Sequence, residues 1–484
     1  MKNSIKLLFL ASVFLIACHR AEVLFEDALC IENISIIDPE KGLIDNQTVI
    51  IKAGKIHKVV STDELHLASD NEIIDGTNKF IMPGLWDTHV HFAFVEDLAP
   101  KMFDLFIAYG ITSVRDIGGE IGFVKKWKER ALSSPTVAPR VMIAGPLLDG
   151  IPNVYDGSVV GRPPISVGLH NVDDVIKQVN QLDSLGVDLL KAYEMLAPDQ
   201  FVAITRLGQE KGLKVTGHVP LSMDVISASN AGLNSIEHLK NLEMSCASNA
   251  DDLLKERREM LVLGKNEPGG VLRSRIHRAI IPIALDNYDE SKAQEVLDVL
   301  AKNQTWQIPT LTINVGATKR FFASEEWKES YKYLPDSIEK QWIDNVDQMM
   351  SEEPSEFSRK FANWKLKIVD KIHQAGIEMM AGTDTPVGYL TPGLSLHQEL
   401  ALLVEAGLSP LDAIKTATLN PARYFNLENE LGSIQENMWA DLVLLDANPL
   451  ENIMNTKCIY AVLKQGKYFD RKELDEILER LINQ

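Results

Sequence analysis

The strongest constraint on this chain is an ordered series of short apolar runs, each ending in a residue that carries chemistry. Gly84-Leu85-Trp86-Asp87-Thr88 leads into His89-Val90-His91. Val187-Asp188-Leu189-Leu190 leads into Lys191, and Leu213-Lys214-Val215-Thr216-Gly217 into His218. Ser235-Ile236-Glu237 leads into His238, and Met379-Met380-Ala381-Gly382-Thr383 into Asp384. Each run reads as a strand followed by a turn. In a parallel α/β barrel that is the end of the strand where catalytic groups collect.

Strand candidates recur at the spacing such a barrel needs. After Phe80–Leu85 come Ile111 to Val114, Arg140 to Ala144, Leu189 to Ala192, Lys214 to Thr216, Asn234 to Ile236, Ile308 to Ile313 and Glu378 to Ala381. Helical patterns separate them. Strand–helix alternation of this length predicts a parallel sheet closed into a (β/α)8 TIM barrel. Two stretches, 239–303 and 315–375, are longer than the alternation requires. They follow the sixth and seventh strands. Helical insertions over the pocket mouth and ordinary crossover helices outside the barrel are both open readings for them.

The chain ends read as β structure. Cys30-Ile31-Glu32-Asn33-Ile34-Ser35-Ile36-Ile37, Thr48-Val49-Ile50-Ile51 and Gly54 to Val60 alternate or run apolar between turn residues. Asp441 to Asp446 and Ile459 to Gly466 do the same at the other end. Neither end holds enough strands to be stable alone. Together they have strands enough for one small β-sandwich domain, from 18–80 and 423–484, with the barrel at 81–422; that the two ends meet and flank the barrel is implied by the family resemblance given below. Leu474, Ile477, Leu478, Leu481 and Ile482 repeat at helical spacing and predict a C-terminal helix.

Lys2 and Lys6 flank an apolar stretch from Leu7 to Ala17, too short for a permanent membrane span. It ends Leu15-Ile16-Ala17-Cys18, which is similar to a bacterial lipoprotein cleavage box. The expectation is a signal peptide at 1–17 and lipid on Cys18, with the protein anchored to a membrane on the periplasmic side or at the cell surface. The formal net charge of −19 disfavours a nucleic acid partner. Cys30, Cys246 and Cys458 have no metal-binding spacing and are expected to be buried free thiols. A homo-oligomer stays open.

Alternate side chains of a strand share a face, so His89 and His91 can grip one metal ion. An ammonium has no lone pair for a metal, but a buried lysine tends to lose its proton. The neutral Lys191 amine can then take up carbon dioxide as a carbamate, with two oxygens that bridge two metals. His218 and His238 suit the second ion, and Asp384 the first. Nitrogen and oxygen ligands favour zinc, with manganese and cobalt open.

The ensemble resembles the amidohydrolase superfamily, and within it the imidazolonepropionase-like and prolidase-like group. The resemblance extends from about Leu29 to about Tyr468. It includes Met82-Pro83-Gly84-Leu85, Gly110 to Asp116, Ala381 to Pro386 and Ala440 to Asp446. It implies a metal-dependent hydrolase of carbon–nitrogen bonds, with two divalent metal ions and a carbamate on Lys191. A metal-bridging hydroxide would attack, with Asp384 as general base and then acid. The expected substrates are dipeptides or N-acyl amino acids.

Tyr193 and Arg162 are the main candidate substrate contacts, with Tyr155 and Tyr389 behind them. His397 is a candidate supporting residue near Asp384. His170, His277 and His373 are expected at the surface, and His57 and His66 in the sandwich. Two other readings stay in view. One is a lactone or cyclic-amide hydrolase of the imidazolonepropionase type, which Lys191 argues against. The other is a non-catalytic ligand-binding surface lipoprotein.

Overall fold

The computed structural model describes residues 22–482. A ring of parallel strands forms the centre. Leu85–Val90 pairs with Ile111–Asp116, and that strand with Arg140–Ile143. Leu189–Ala192 pairs with Lys214–Gly217, then Ser235–Glu237, then Trp306–Ile308. The amide of Asp188 donates to Ile143 O at 2.8 Å, joining the third strand to the fourth. Parallel bridges from Gln307 to Met379 and from Val90 to Thr385 close the ring through the eighth strand. The chain is thus a (β/α)8 barrel. Leu85–Val90 is buried at every position because a barrel strand meets side chains inside and helices outside.

Both chain ends build a second, eight-stranded sheet. Its order runs from Lys467–Asp470 through Ile459–Lys464, Leu442–Leu445, Phe80–Pro83, Ala28–Asp38 and Gly42–Lys52 to Lys55–Ser61. Glu72–Asp75 also pairs with Ala28–Asp38, parallel to it. Ile31, Val49, Ile81, Leu442 and Leu463 share one buried apolar cluster, so neither end is complete without the other. The helix Arg471–Ile482 buries Leu474, Ile477 and Leu481. It lies against the barrel helix Ala99–Ala108, where Lys101 Nζ donates to Leu481 O at 2.7 Å.

Two strand expectations need correction. Phe80–Leu85 is not the first barrel strand. Phe80–Pro83 belongs to the second sheet, and the barrel strand starts at Leu85. Gly84 is the hinge between them: its amide donates to Asp441 O, and a Cβ there would stand 2.3 Å from Thr112 Oγ1. The seventh strand stops at Ile308, and Leu311–Lys319 is a helix. Pro309 and then Thr310, at φ +44°, turn the chain out of the strand.

Both long stretches are largely helical. In 239–303, Gly269–Asp286 brings Arg273 to the pocket. Glu290–Lys302 runs back towards the seventh strand as a crossover helix. In 315–375, Asp336–Ser351 borders a cavity beside the mouth, while Glu356–Gln374 leads into the eighth strand. Cys30 and Cys246 are buried and free, but Cys458 is exposed, at the turn between the short helical segment Ile453–Lys457 and the strand Ile459–Lys464. Cys18 and the expected signal peptide lie outside the described residues. Among those described, no helix is long and apolar enough to cross a membrane.

Candidate metal centre

The ends of five barrel strands place six predicted residues around one cavity of about 210 Å³. His89 Nε2 and His91 Nε2 lie 3.2 and 3.3 Å from Asp384 Oδ1. One ligand atom from each of these three residues falls within 4.8 Å of the others, a spacing that one ion can occupy. His238 Nε2 is 4.0 Å from Asp384 Oδ2. The ring centroids of His218 and His238 are 4.9 Å apart, and those of His89 and His238 4.4 Å. Lys191 lies on the same wall.

Local backbone makes room for this convergence. A Cβ on Gly382 would come within 2.7 Å of the His89 Cβ, so only glycine lets the eighth strand pass the first. His238 and Asp384 both adopt left-handed backbone, at φ +57° and +70°. That conformation is costly for residues with side chains and gathers at functional sites. The Asp384 amide donates to His89 O at 2.8 Å, and the His238 amide to Ile308 O at 2.8 Å, which fixes both turns.

Each imidazole is oriented from behind. His89 Nδ1 faces Glu237 Oε2 at 2.8 Å, and His218 Nδ1 faces Glu194 Oε1 at 2.6 Å. His91 Nδ1 lies 3.1 Å from Gly118 O, and His238 Nδ1 2.6 Å from Thr310 Oγ1. In all four the Nδ1 side is engaged, so Nε2 is left as the ligating nitrogen. Burial holds His218 and His238 well below the usual histidine range, in the neutral form a metal requires. Burial works to raise the Asp384 carboxyl, but His89 and His238 outweigh it and keep it ionised.

Lys191 is 1 % exposed, and its Nζ has no hydrogen-bond partner among the described residues. Burial, aided by nearby Arg115 and opposed by Glu237, brings its ammonium down to about 8. An orphaned amine of this kind beside four imidazoles fits a lysine that carries a further group. The donor set therefore suits divalent cations.

The supporting shell includes residues that sequence reasoning passed over. Glu194 is fully buried and accepts from His218, from Arg273 Nε and Nη2 at 2.9 and 2.8 Å, and from His277 Nε2. His277 is thus a partly buried partner of the site and not a surface residue: the helix Gly269–Asp286 carries it inward, one turn after Arg273. Glu237 accepts from Arg115 Nη2 at 2.7 Å and from Thr216. Asp87 accepts from His89 N, Thr383 N and Thr383 Oγ1, and burial raises its carboxyl to about 7.

Tyr193 lines the cavity, with its ring 4.4 Å from that of His218, and Tyr155 lines it too. Arg162 does not. It borders the neighbouring cavity and donates to Ser274 Oγ at 2.7 Å, because the loop it sits on leans against the insertion helix. Tyr389 packs on Phe322 in the core, at 4.2 Å between rings. His397 is not a support of Asp384: it bridges Thr456 Oγ1 and Tyr109 O, where the C-terminal segment meets the barrel.

Residues 357–468 match the amidohydrolase family. The chain is 36% identical to ochratoxinase of Aspergillus niger over 113 residues, 22% of each chain, so the match spans under a quarter of that relative. Among solved structures, a Xaa-Pro dipeptidase with bound methionine aligns over 92% of this chain and 100% of its own, at TM-score 0.65 and 18% identity. A putative prolidase from Bifidobacterium longum aligns over 94% and 99%, at TM-score 0.63 and 22% identity. Residues 357–468 thus match the amidohydrolase family, and the fold of the chain is shared with these solved structures.

Proposed function

We propose that this protein is a metal-dependent hydrolase of amide bonds in small substrates, dipeptides or N-acyl amino acids. The observation that carries the reading is Lys191, buried in the same cavity lining as His89, His91, His218 and His238, with no hydrogen-bond partner for its Nζ among the described residues. The names of its structural relatives, a dipeptidase and a prolidase, point the same way.

His89, His91 and Asp384 would hold one divalent cation, and His218 and His238 a second. The neutral Lys191 amine attacks carbon dioxide, forms an N–C bond and releases one proton. The resulting carbamate would carry two oxygens that could serve as metal ligands beside the four imidazoles. Zinc suits this nitrogen and oxygen set. The cations, when bound, supply Lewis acidity towards the carbonyl and acidify a water. Asp384, kept ionised, takes the proton of the attacking water and returns it to the leaving nitrogen. No nucleophilic serine or cysteine lines the cavity, so hydrolysis is direct.

The test is release of free amine from a library of dipeptides and N-acyl amino acids by metal-reconstituted protein, with metal counted per chain. Two ions and amide cleavage are expected. Cleavage of lactones or cyclic amides alone, with one ion, would move the assignment to the imidazolonepropionase type. No metal and no turnover would leave a ligand-binding protein. The leader further suggests that the enzyme works at a membrane surface through lipid on Cys18.

A further inference from the structure

The charges around the cavity are uneven in a way that selects among amides. Asp384 is the one acid among its lining residues, and its oxygens face His89, His91 and His238. The two acids just behind the wall are also committed. Glu194 is filled by His218, Arg273 and His277, and Glu237 by Arg115, Thr216 and His89.

Two cations, by contrast, have capacity to spare. Lys240, two residues beyond His238, lines the cavity with no hydrogen bond or ion pair to its ammonium among the described residues. Arg273 spends Nε and Nη2 on Glu194 and leaves Nη1 without a partner among them. Its guanidinium lies 5.9 Å from the Tyr193 ring centroid.

Part of the lining is apolar. Phe94, Ile313 and Val387 belong to it, and Phe94 also borders the neighbouring cavity of about 560 Å³. Trp342 and Ile338 of the helix Asp336–Ser351 line that second space. Its acids, Glu96 and Asp97, are exposed. The α-ammonium of a dipeptide sits one carbon from the attacked carbonyl. It would therefore lie in the first cavity, whose lining carries Lys191, Lys240 and Arg273 and, of acids, Asp384 alone.

Resting on the amidase reading above, we infer that the substrate is an N-acyl amino acid with no free α-ammonium. Its carboxylate is read by Lys240 and Arg273, and its apolar acyl group passes Phe94 into the neighbouring cavity. Lys240 is a specificity residue, since an ammonium with spare donors pairs with a carboxylate, and an uncompensated buried charge is costly to either partner. A substrate ammonium has no such partner here.

The deciding comparison uses isosteres on the zinc-loaded, bicarbonate-treated enzyme. 3-Phenylpropionyl-leucine and phenylalanyl-leucine differ only in the α-ammonium, and 3-phenylpropionyl-leucinamide lacks only the carboxylate. The same triplets are run over a panel of C-terminal side chains. The acyl amino acid should exceed both others in kcat/KM by at least about tenfold. In Lys240→Met the acid-to-amide ratio should collapse towards one, a change that general damage to the fold would not produce. Equal or faster cleavage of the dipeptides overturns the inference and leaves the amidase reading intact. An unchanged acid-to-amide ratio in Lys240→Met overturns the assignment of the carboxylate site. Inertness of every member of the panel, with metal bound, overturns both the inference and the amidase reading.

Discussion

Glu194 Oε1 stands 2.6 Å from His218 Nδ1, and the same carboxylate is gripped by Arg273 and His277 from an insertion helix. The orientation of a predicted ligand thus depends on a segment outside the basic barrel plan. Glu194→Gln should weaken binding of the second ion roughly 10- to 100-fold, the usual effect of losing an outer carboxylate partner. Stepwise metal titration followed by calorimetry checks it. Unchanged affinity for the second ion would contradict this role.

Lys191 gives a prediction with opposite signs for activity and stability. Lys191→Ala should lower metal content and abolish turnover, with partial rescue by short carboxylic acids. In metal-free protein the buried ammonium is a burden, because its folded value of about 8 lies below the unfolded one of about 10.4. The folded state binds this proton less tightly than the unfolded chain. The cost is therefore fully present below about pH 8 and fades between about 8 and 10. Lys191→Met should melt higher than the metal-free parent at pH 7, with the gap closing as pH approaches 10. Thermal unfolding of both proteins across that range checks it.

Asp384 touches both histidines of the first strand and is placed to carry the proton. Asp384→Asn keeps the shape but not the basicity. It should lower kcat by roughly 10²- to 10⁴-fold, the range for a general acid–base group. Metal analysis of the same sample separates lost proton transfer from lost binding.

At the other end of the chain, Leu15-Ile16-Ala17-Cys18 predicts processing. Mass spectrometry of protein from a bacterial membrane should find a diacylated or triacylated Cys18 at the new N-terminus. An unmodified terminus starting elsewhere would remove the membrane assignment.

The parts of this molecule that sequence exposes are those written locally. A ligand at the end of a strand is visible because strand, side chain and turn are adjacent in the chain, as with His89, His91 and Lys191. Glu194 and Glu237 were open to the same reading: one lies three residues after Lys191, the other directly before His238. An acid close to a ligand-bearing strand end, as at Lys191 and His238, is a usable signal. Arg273, His277 and Lys240 are harder. The first two reach the pocket only through the packing of Gly269–Asp286, and Lys240 stands in a turn whose direction is set by the left-handed His238 and Leu239. The misplacement of Arg162 has the same origin, since the loop's contact with Ser274 is a tertiary event.

The hydrogen bond from the Asp384 amide to His89 O has a consequence for how the molecule comes into being. It joins the first barrel strand to the last, so the predicted ligands of one ion come from the two flanks of the junction where the ends of the barrel meet. No such ion can be held until the final strand has docked. Metal competence would then report completed closure of the barrel, and a cation at that point would act as a clasp whose removal loosens the whole ring and not a single loop.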